Sequence, residues 1–179
     1  MPRYAAFLRA VNLGATRKTS SAELREHFGA MGFEDVATFR TSGNVVFDGA
    51  SGGEAKVKAK VEMALSQAVG FEVVVFLRAD AQVRAIAEHQ PFSAKEVEAS
   101  AGKLQVLLLP MKPAPAARNK VLALATDDDK LAFGERELYW LPSGGTLESQ
   151  LDRRQIEKLV GPSTSRTKGT IDLLAAKFF

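Results

Sequence analysis

The sequence predicts an α+β protein whose two halves each form a mainly antiparallel sheet with helices packed on it. Three observations predict this class. Segments with strand and helix patterns follow one another as β-α-β-β-α-β in the first half. A related order recurs in the second half. Hydrophobic residues make up 46% of the chain and charged residues 25%, which is typical of a folded globular protein.

The first strand is predicted over residues 3–11, and a polar loop follows it. Ser20 and Glu23 then match a capping box, in which a hydroxyl and a carboxylate three positions apart cap the start of a helix. Apolar residues at helical spacing continue this first helix, and Gly32 is a plausible stop.

The remaining elements of the first half are two strands, a second amphipathic helix and a fourth strand. They are predicted over residues 35–41, 44–48, 57–68 and 72–78. Ser42 and Gly43 form a tight-turn signal between the two strands. The resulting order, β-α-β-β-α-β, is the ferredoxin-like or split β-α-β arrangement.

The second half repeats part of this order. A helix is predicted over residues 81–88, followed by strand, helix, two strands and two helices over 103–109, 114–125, 130–133, 137–141, 150–160 and 171–177. This succession suggests a degenerate second copy, an interpretation that rests on element order alone. We therefore predict an N-terminal ferredoxin-like subdomain over residues 1–88, a linker over 89–102 and a C-terminal α+β subdomain over 103–179.

Composition excludes several classes of protein. The chain has no cysteine, which excludes disulfides, thiolate metal sites and cysteine nucleophiles and fits a reducing compartment. Its net charge of +3 is a mild excess of cations that are mixed with carboxylates, unlike the basic stripe of a dedicated nucleic-acid binder. Arg9 interrupts the first apolar run too early for a signal peptide, and no run approaches the roughly 20 residues of a membrane span. We expect a cytoplasmic protein with no membrane partner.

Two segments resemble a known family. Residues 7–14, Phe-Leu-Arg-Ala-Val-Asn-Leu-Gly, and residues 41–47, Thr-Ser-Gly-Asn-Val-Val-Phe, are similar to the LRGINVGG-like start and the SGNVVF segment of a bacterial family catalogued as domain of unknown function 1697. The resemblance implies a soluble bacterial protein with an α+β fold, and it implies no activity. In the last third, Arg166 and Thr170 fit the family pattern, whereas Lys168 stands where an aromatic residue is usual.

The predicted topology brings two polar segments together. In a split β-α-β unit the first and second strands are parallel, so the loop after the first strand and the turn after the second lie at one end of the sheet. A helix N-terminus beside them favours anions. The sequence therefore predicts an anion or phosphate site formed by Arg9, Asn12, Gly14, Arg17, Lys18, Arg40, Ser42, Gly43 and Asn44, with Arg166 as a further cation.

A simpler interpretation treats the polar members as turn formers and the cations as solvated. The loop is not a P-loop, because no GxxxxGK[ST] motif occurs. An open RNA-binding sheet is disfavoured, because the fourth strand is apolar on both faces and a sheet of that kind needs cover on both sides.

The function stays open among three classes. The favoured hypothesis is noncatalytic binding of a phosphate-bearing ligand, either a nucleotide or a nucleic acid. The alternatives are a small cofactor-free enzyme that acts on a phosphorylated or carboxylated metabolite, and a protein-interaction module. No cofactor is predicted, and no residues have the spacing of metal ligands. The run from Asp127 to Asp129 is interpreted as a solvated turn.

Overall fold

The structure is a computed structural model that describes residues 1–9, 19–40, 43–49 and 51–179. The described residues form eight strands and seven helices, arranged in two compact units. Unit 1 comprises Met1–Arg84 with Lys177–Phe179, and unit 2 comprises Ala85–Ala176. Each unit contains one four-stranded antiparallel sheet, so the predicted α+β class with two ferredoxin-like halves is confirmed.

Unit 1 has the strand order β2-β3-β1-β4, which is the ferredoxin-like order. Its elements are β1 (Arg3–Arg9), α1 (Ser21–Ala30), β2 (Glu34–Thr38), β3 (Asn44–Asp48), α2 (Glu54–Val69), β4 (Val74–Ala79) and the start of α3 (Asp80–Glu88). The capping box of α1 forms as predicted. The Ser20 hydroxyl accepts the Glu23 N–H over 3.1 Å, and the Glu23 carboxylate accepts the Ser20 N–H over 2.6 Å.

Alternating side chains of the unit 1 sheet are buried on both faces. One face supplies Leu8, Val45 and Phe47 to a core with α1 and α2, because successive strand residues point to opposite sides. On the other face, Phe7 and Phe76 are also buried. Burial on both faces agrees with the prediction for the fourth strand, and it leaves these strands without the open aromatic platform of an RNA-binding sheet.

Unit 2 has the equivalent strand order, β6-β7-β5-β8. Its elements are α4 (Ala94–Ala99), β5 (Gln105–Leu108), α5 (Pro115–Leu122), β6 (Asp129–Phe133), β7 (Glu137–Pro142), α6 (Arg153–Val160), β8 (Thr164–Thr167) and most of α7 (Lys168–Phe178). The sequence did not predict β8, whose residues are all polar. It also did not predict α4, a short helix that lies within the predicted linker.

The two sheets share a residue-level register. The pairings of β1 with β3 and β4 match those of β5 with β7 and β8. The equivalent residues in the two units are Ala5 and Val106, Val46 and Tyr139, Phe47 and Trp140, and Arg78 and Arg166. An additional hydrogen bond supports this alignment. The Leu8 N–H donates to the Gly43 carbonyl over 2.9 Å, and the Leu109 N–H donates to the Arg136 carbonyl over 2.9 Å.

The acidic run before β6 is only partly the solvated turn that was predicted. Asp127 and Asp128 are exposed, whereas Asp129 is 1% exposed. Asp129 begins β6 and accepts hydrogen bonds from the Trp140 indole N–H and the Ser149 hydroxyl, both over 2.7 Å. The prediction was wrong for Asp129, because two partners that are distant in sequence draw its carboxylate inward.

The described residues contain neither a membrane-spanning helix nor a cluster of metal-binding side chains. No described helix is both long and apolar enough to cross a bilayer. Within the same residues, no group of three or more histidine or carboxylate side chains is arranged to hold a metal ion.

Candidate functional site

The described ends of β1 and of the β2–β3 turn meet at one end of the unit 1 sheet. β3 is antiparallel to both β1 and β2, so β1 and β2 end on the same side. Phe7 lies opposite Asn44 in the register, and the Leu8 N–H binds the Gly43 carbonyl over 2.9 Å. Arg9 follows directly, and it is half-buried.

Arg40 has a special backbone conformation beside this turn. Its φ angle is +58°, in the left-handed region that costs a non-glycine residue about 1–2 kcal/mol. The side chain is exposed, and its guanidinium carbon lies 5.6 Å from the centre of the Phe39 ring. The ring of Phe178 lies edge-on to Phe39 at 6.0 Å, and the Lys177 ammonium lies 6.0 Å from the same ring. This end of β2 therefore carries cations against aromatic faces.

Gly43 and Asn44 close the turn. Gly43 has a φ of +71°, and a Cβ there would lie 3.2 Å from the Leu8 Cβ, so glycine suits both the backbone and the close approach. Asn44 is 1% exposed, and its Nδ2 donates to the Phe39 carbonyl over 2.9 Å. These two residues act as turn formers, in agreement with the simpler interpretation of the motif.

The N-terminus of α1 already has an acidic side chain. The Glu23 carboxylate accepts the Ser20 backbone N–H, and this hydrogen bond lowers the pKa of Glu23 below its usual value. A carboxylate in the first turn of a helix interacts favourably with the helix dipole. A bound anion would therefore compete with the Glu23 carboxylate for the N–H groups at this end of the helix.

The remaining predicted members of the site are either outside the described residues or in unit 2. Asn12, Gly14, Arg17, Lys18 and Ser42 lie outside the described residues, and their roles stay predictions. Arg166 lies in β8 of unit 2 and is 8% exposed. It donates to the Thr164 hydroxyl and the Ser165 carbonyl, each over 2.8 Å, and burial lowers its pKa to about 10.

Sequence reasoning missed that Arg166 has an equivalent in unit 1. Arg78 occupies the matching position in β4, is 1% exposed and donates to the Leu77 carbonyl over 2.9 Å. The bond from Arg166 to the Ser165 carbonyl has the same form. The sequence does contain a signal for this equivalence, an arginine near the end of the last strand of each half. That signal can be used only once residues 164–167 are recognised as a strand.

Comparisons with known proteins identify the fold from a solved structure and the family from a family model. The structure is similar to that of the conserved bacterial protein SP0830 from Streptococcus pneumoniae, with a TM-score of 0.73, 21% sequence identity and coverage of 99% of each chain. At that identity the likeness shows the fold alone. A search of curated proteins gave no match. The model of the family described as "Protein of unknown function (DUF1697)" matches residues 1–139. The resemblance of the opening motifs is thereby confirmed, and the chain belongs to the DUF1697 family.

Proposed function

We propose that the protein binds a phosphate-bearing ligand, without catalysis, at the end of its N-terminal sheet. The hydrogen bond of 2.9 Å from the Leu8 N–H to the Gly43 carbonyl carries this proposal, because it joins the end of β1 to the β2–β3 turn. Arg9 follows Leu8, and Arg40 lies in the connection from β2 to β3. Two guanidinium groups therefore belong to one end of the sheet, and a guanidinium can bind a phosphate through two parallel hydrogen bonds.

The conformation of Arg40 supports a role in binding. Backbone strain in a non-glycine residue persists where the surrounding structure requires it, and such residues are enriched at binding sites. The φ angle of +58° presents an exposed guanidinium against the Phe39 ring. A guanidinium that stacks on a ring keeps its in-plane N–H groups for an anion. Arg40 is therefore the residue on which the proposal depends most.

The other residues of the proposed site have supporting roles. Gly43 and Asn44 hold the turn, and Asn12, Arg17, Lys18 and Ser42 would add donors from the two adjoining segments. The ligand classes that share this chemistry are nucleotides and nucleic acids. The proposal also includes a cytoplasmic location, since a chain without cysteine fits a reducing compartment. A bacterial source is proposed as well, because the family resemblance implies one.

Calorimetric titration with ATP and with a single-stranded DNA oligonucleotide tests the proposal. We expect Arg40→Ala and Arg9→Ala each to weaken binding about tenfold or more, which corresponds to one lost charge-assisted contact of about 1.4 kcal/mol. Arg154→Ala removes the same charge from an exposed position in unit 2, and it should leave the affinity unchanged.

The salt dependence separates the two ligand classes. Oligonucleotide binding should weaken steeply with added salt, because several phosphate contacts release counterions. ATP binding should depend on salt less. If both probes bind the Arg9→Ala/Arg40→Ala double variant as tightly as the unaltered protein, or if neither probe binds at millimolar concentration, the proposal fails.

A further inference from the structure

Unit 2 contains a cavity of about 320 Å³ at one end of its sheet, between the start of β6 and the segment that follows β7. Small-molecule sites have volumes of roughly 300–1,000 Å³, so the cavity has room for a small ligand. Three carboxylates line it, those of Asp128, Asp129 and Glu148, together with the hydroxyl residues Ser143 and Ser149. No lysine or arginine is among the lining residues. The cavity is therefore acidic.

Asp129 is the buried member of this set. Its Oδ1 accepts the Trp140 indole N–H and the Ser149 hydroxyl, each over 2.7 Å, and its Oδ2 accepts the Thr126 hydroxyl over 3.4 Å. All three donors are neutral. A buried carboxylate costs free energy unless a cation compensates its charge. Arg153 lies over the ring of Trp140, at 5.5 Å from its centre, and does not line the cavity.

The equivalent place in unit 1 is filled by an aromatic side chain. Glu34 pairs with Asp48 in unit 1, and Lys130 pairs with Leu141 in unit 2. Because Asp48 and Leu141 follow the equivalent residues Phe47 and Trp140, Glu34 and Lys130 are equivalent. The residues that precede them, Phe33 in unit 1 and Asp129 in unit 2, are therefore equivalent too. The Phe33 ring packs on Phe47 with centres 4.5 Å apart. The fold itself therefore tolerates an apolar residue here. The carboxylate at this position is therefore a feature of unit 2.

The arrangement fits an organic cation better than a metal ion. Among the described residues, no three carboxylate or histidine side chains converge closely enough to coordinate one metal ion. A ligand with separated N–H donors can instead reach carboxylates that lie apart.

We propose that this cavity binds a small organic cation that carries primary ammonium groups, of the diamine class. An ammonium group has three donors and no acceptor, so it complements carboxylates and hydroxyl oxygens. One ammonium binds Asp129, the buried carboxylate among the lining residues. The exposed carboxylates of Asp128 and Glu148 hold the other end of the ligand at the entrance.

Calorimetric titration with diaminobutane tests this site, and butanediol serves as a neutral probe of the same length. We expect the diamine to bind and the diol to give no heat of binding. Glu148→Gln and Asp129→Asn should each weaken diamine binding about tenfold or more. The matched control is Asp127→Asn, which removes an exposed carboxylate that lines only a neighbouring cavity, and it should leave the affinity unchanged.

Three results would overturn the proposal. They are no diamine binding at millimolar concentration, a loss in Asp127→Asn as large as the loss in Glu148→Gln, and tighter binding of calcium chloride than of the diamine. Asn at position 129 keeps an oxygen acceptor for Trp140 and Ser149, and a thermal melt checks that this variant folds. If it does not fold, Glu148→Gln decides, because Glu148 is exposed and its replacement leaves the core intact.

Discussion

The two units have the same topology and register, but they fill the helix side of their sheets differently. In unit 1 the rings of Phe28, Phe33 and Phe47 pack together with centres 4.5–6.0 Å apart. In unit 2 the Trp140 indole donates to Asp129 over 2.7 Å, beside a polar cavity. One backbone arrangement can therefore enclose either an aromatic cluster or a polar network, and the side chains decide which of the two forms.

The units also differ in the turn between the second and third strands of each, which joins β2 to β3 in unit 1 and β6 to β7 in unit 2. In unit 2 the Gly134 N–H donates to the Glu137 carbonyl, which leaves two residues in the turn, whereas in unit 1 the Phe39 N–H donates to the Asn44 carbonyl and leaves four. Arg40 and Gly43 lie in the longer turn. The proposed phosphate site thus lies where unit 1 has the longer connection, and the proposed cation site lies where unit 2 has Asp129 at the position of Phe33.

The largest effect on stability is expected from truncating the side chains of the equivalent core residues Phe47 and Trp140. Phe47→Ala and Trp140→Ala should each lower the free energy of unfolding by about 3–5 kcal/mol, because both side chains are fully buried. Trp140→Ala should lie at the upper end, since it also deprives Asp129 of a donor. Urea unfolding measures both values. A markedly smaller loss at Trp140 than at Phe47 would contradict the view that the polar network stabilises unit 2.

A smaller effect is expected at Asp129. Asp129→Ala should lower the free energy of unfolding by about 2 kcal/mol, because the Trp140 and Ser149 donors lose their acceptor within a buried site. Asp129→Asn should cost less than about 1 kcal/mol, since it retains an acceptor oxygen. Equal stability of the two variants in urea unfolding would contradict this prediction, because the hydrogen bonds to residue 129 would then contribute nothing to the free energy of unfolding.

The two turns give a prediction of opposite sign. Arg40→Gly should raise the free energy of unfolding by about 1 kcal/mol, because glycine relieves the strain at φ +58°. Among the described residues, Asp35 and Arg40 are the non-glycine residues with positive φ, so Arg136→Gly in the turn of unit 2 is the matched control. It should lower stability by about 0.5–1 kcal/mol through added chain flexibility. Thermal or urea unfolding of both variants checks this, and stabilisation by both would argue against strain at Arg40.

The smallest effect concerns a capping box in each unit. The pKa of Glu96 is lowered to about 2, first by the backbone hydrogen bond from Ser93 and then by Lys130. A carboxylate whose pKa falls on folding stabilises the protein above its ordinary pKa of 4.5, and this contribution is lost as the pH falls towards about 2. Glu96→Gln should therefore lose stability less steeply over this range than the unaltered protein.

A second variant sharpens the test of Glu96. Lys130→Met removes the ion pair of 3.0 Å and should raise the pKa of Glu96 towards its ordinary value. A carboxyl NMR titration measures this change directly. Glu23, in the box of α1, has its pKa lowered mainly by Ser20, so it should be unaffected by Lys130→Met. An unchanged pKa of Glu96 would show that the lysine contact is not made in solution.

Sequence patterns predicted unit 1 better than unit 2 for a physical reason. The capping box at Ser20 and the apolar spacing of α1 are local signals. The apolar fourth strand can likewise be recognised from its own residues, without knowing which strands pair with it. β8 was missed because its four residues are polar and only Thr164 and Arg166 are buried. A strand that owes its structure to pairing with β5 gives no pattern of its own.

The candidate phosphate site was predicted in part. Topology alone brought Arg9 and Arg40 to one end of a sheet, because the handedness and order of a split β-α-β unit leave few arrangements. The separate roles of the turn residues could be identified only from the tertiary structure. Asn44 is buried, and its side-chain amide donates to the Phe39 carbonyl. A pattern of polar residues in a turn does not show whether such a residue stabilises the turn or binds a ligand.

The sequence by itself determined the kinds of element in this protein, the order of those in unit 1 and the family to which the chain belongs, because these depend on residues close to one another along the chain. Tertiary structure alone decided which charged side chains are buried. Asp129, Arg78 and Arg166 have nothing in their neighbouring residues that separates them from solvated charges. Their burial follows from strand pairing and from partners far away in sequence, such as Trp140 and Ser149 for Asp129.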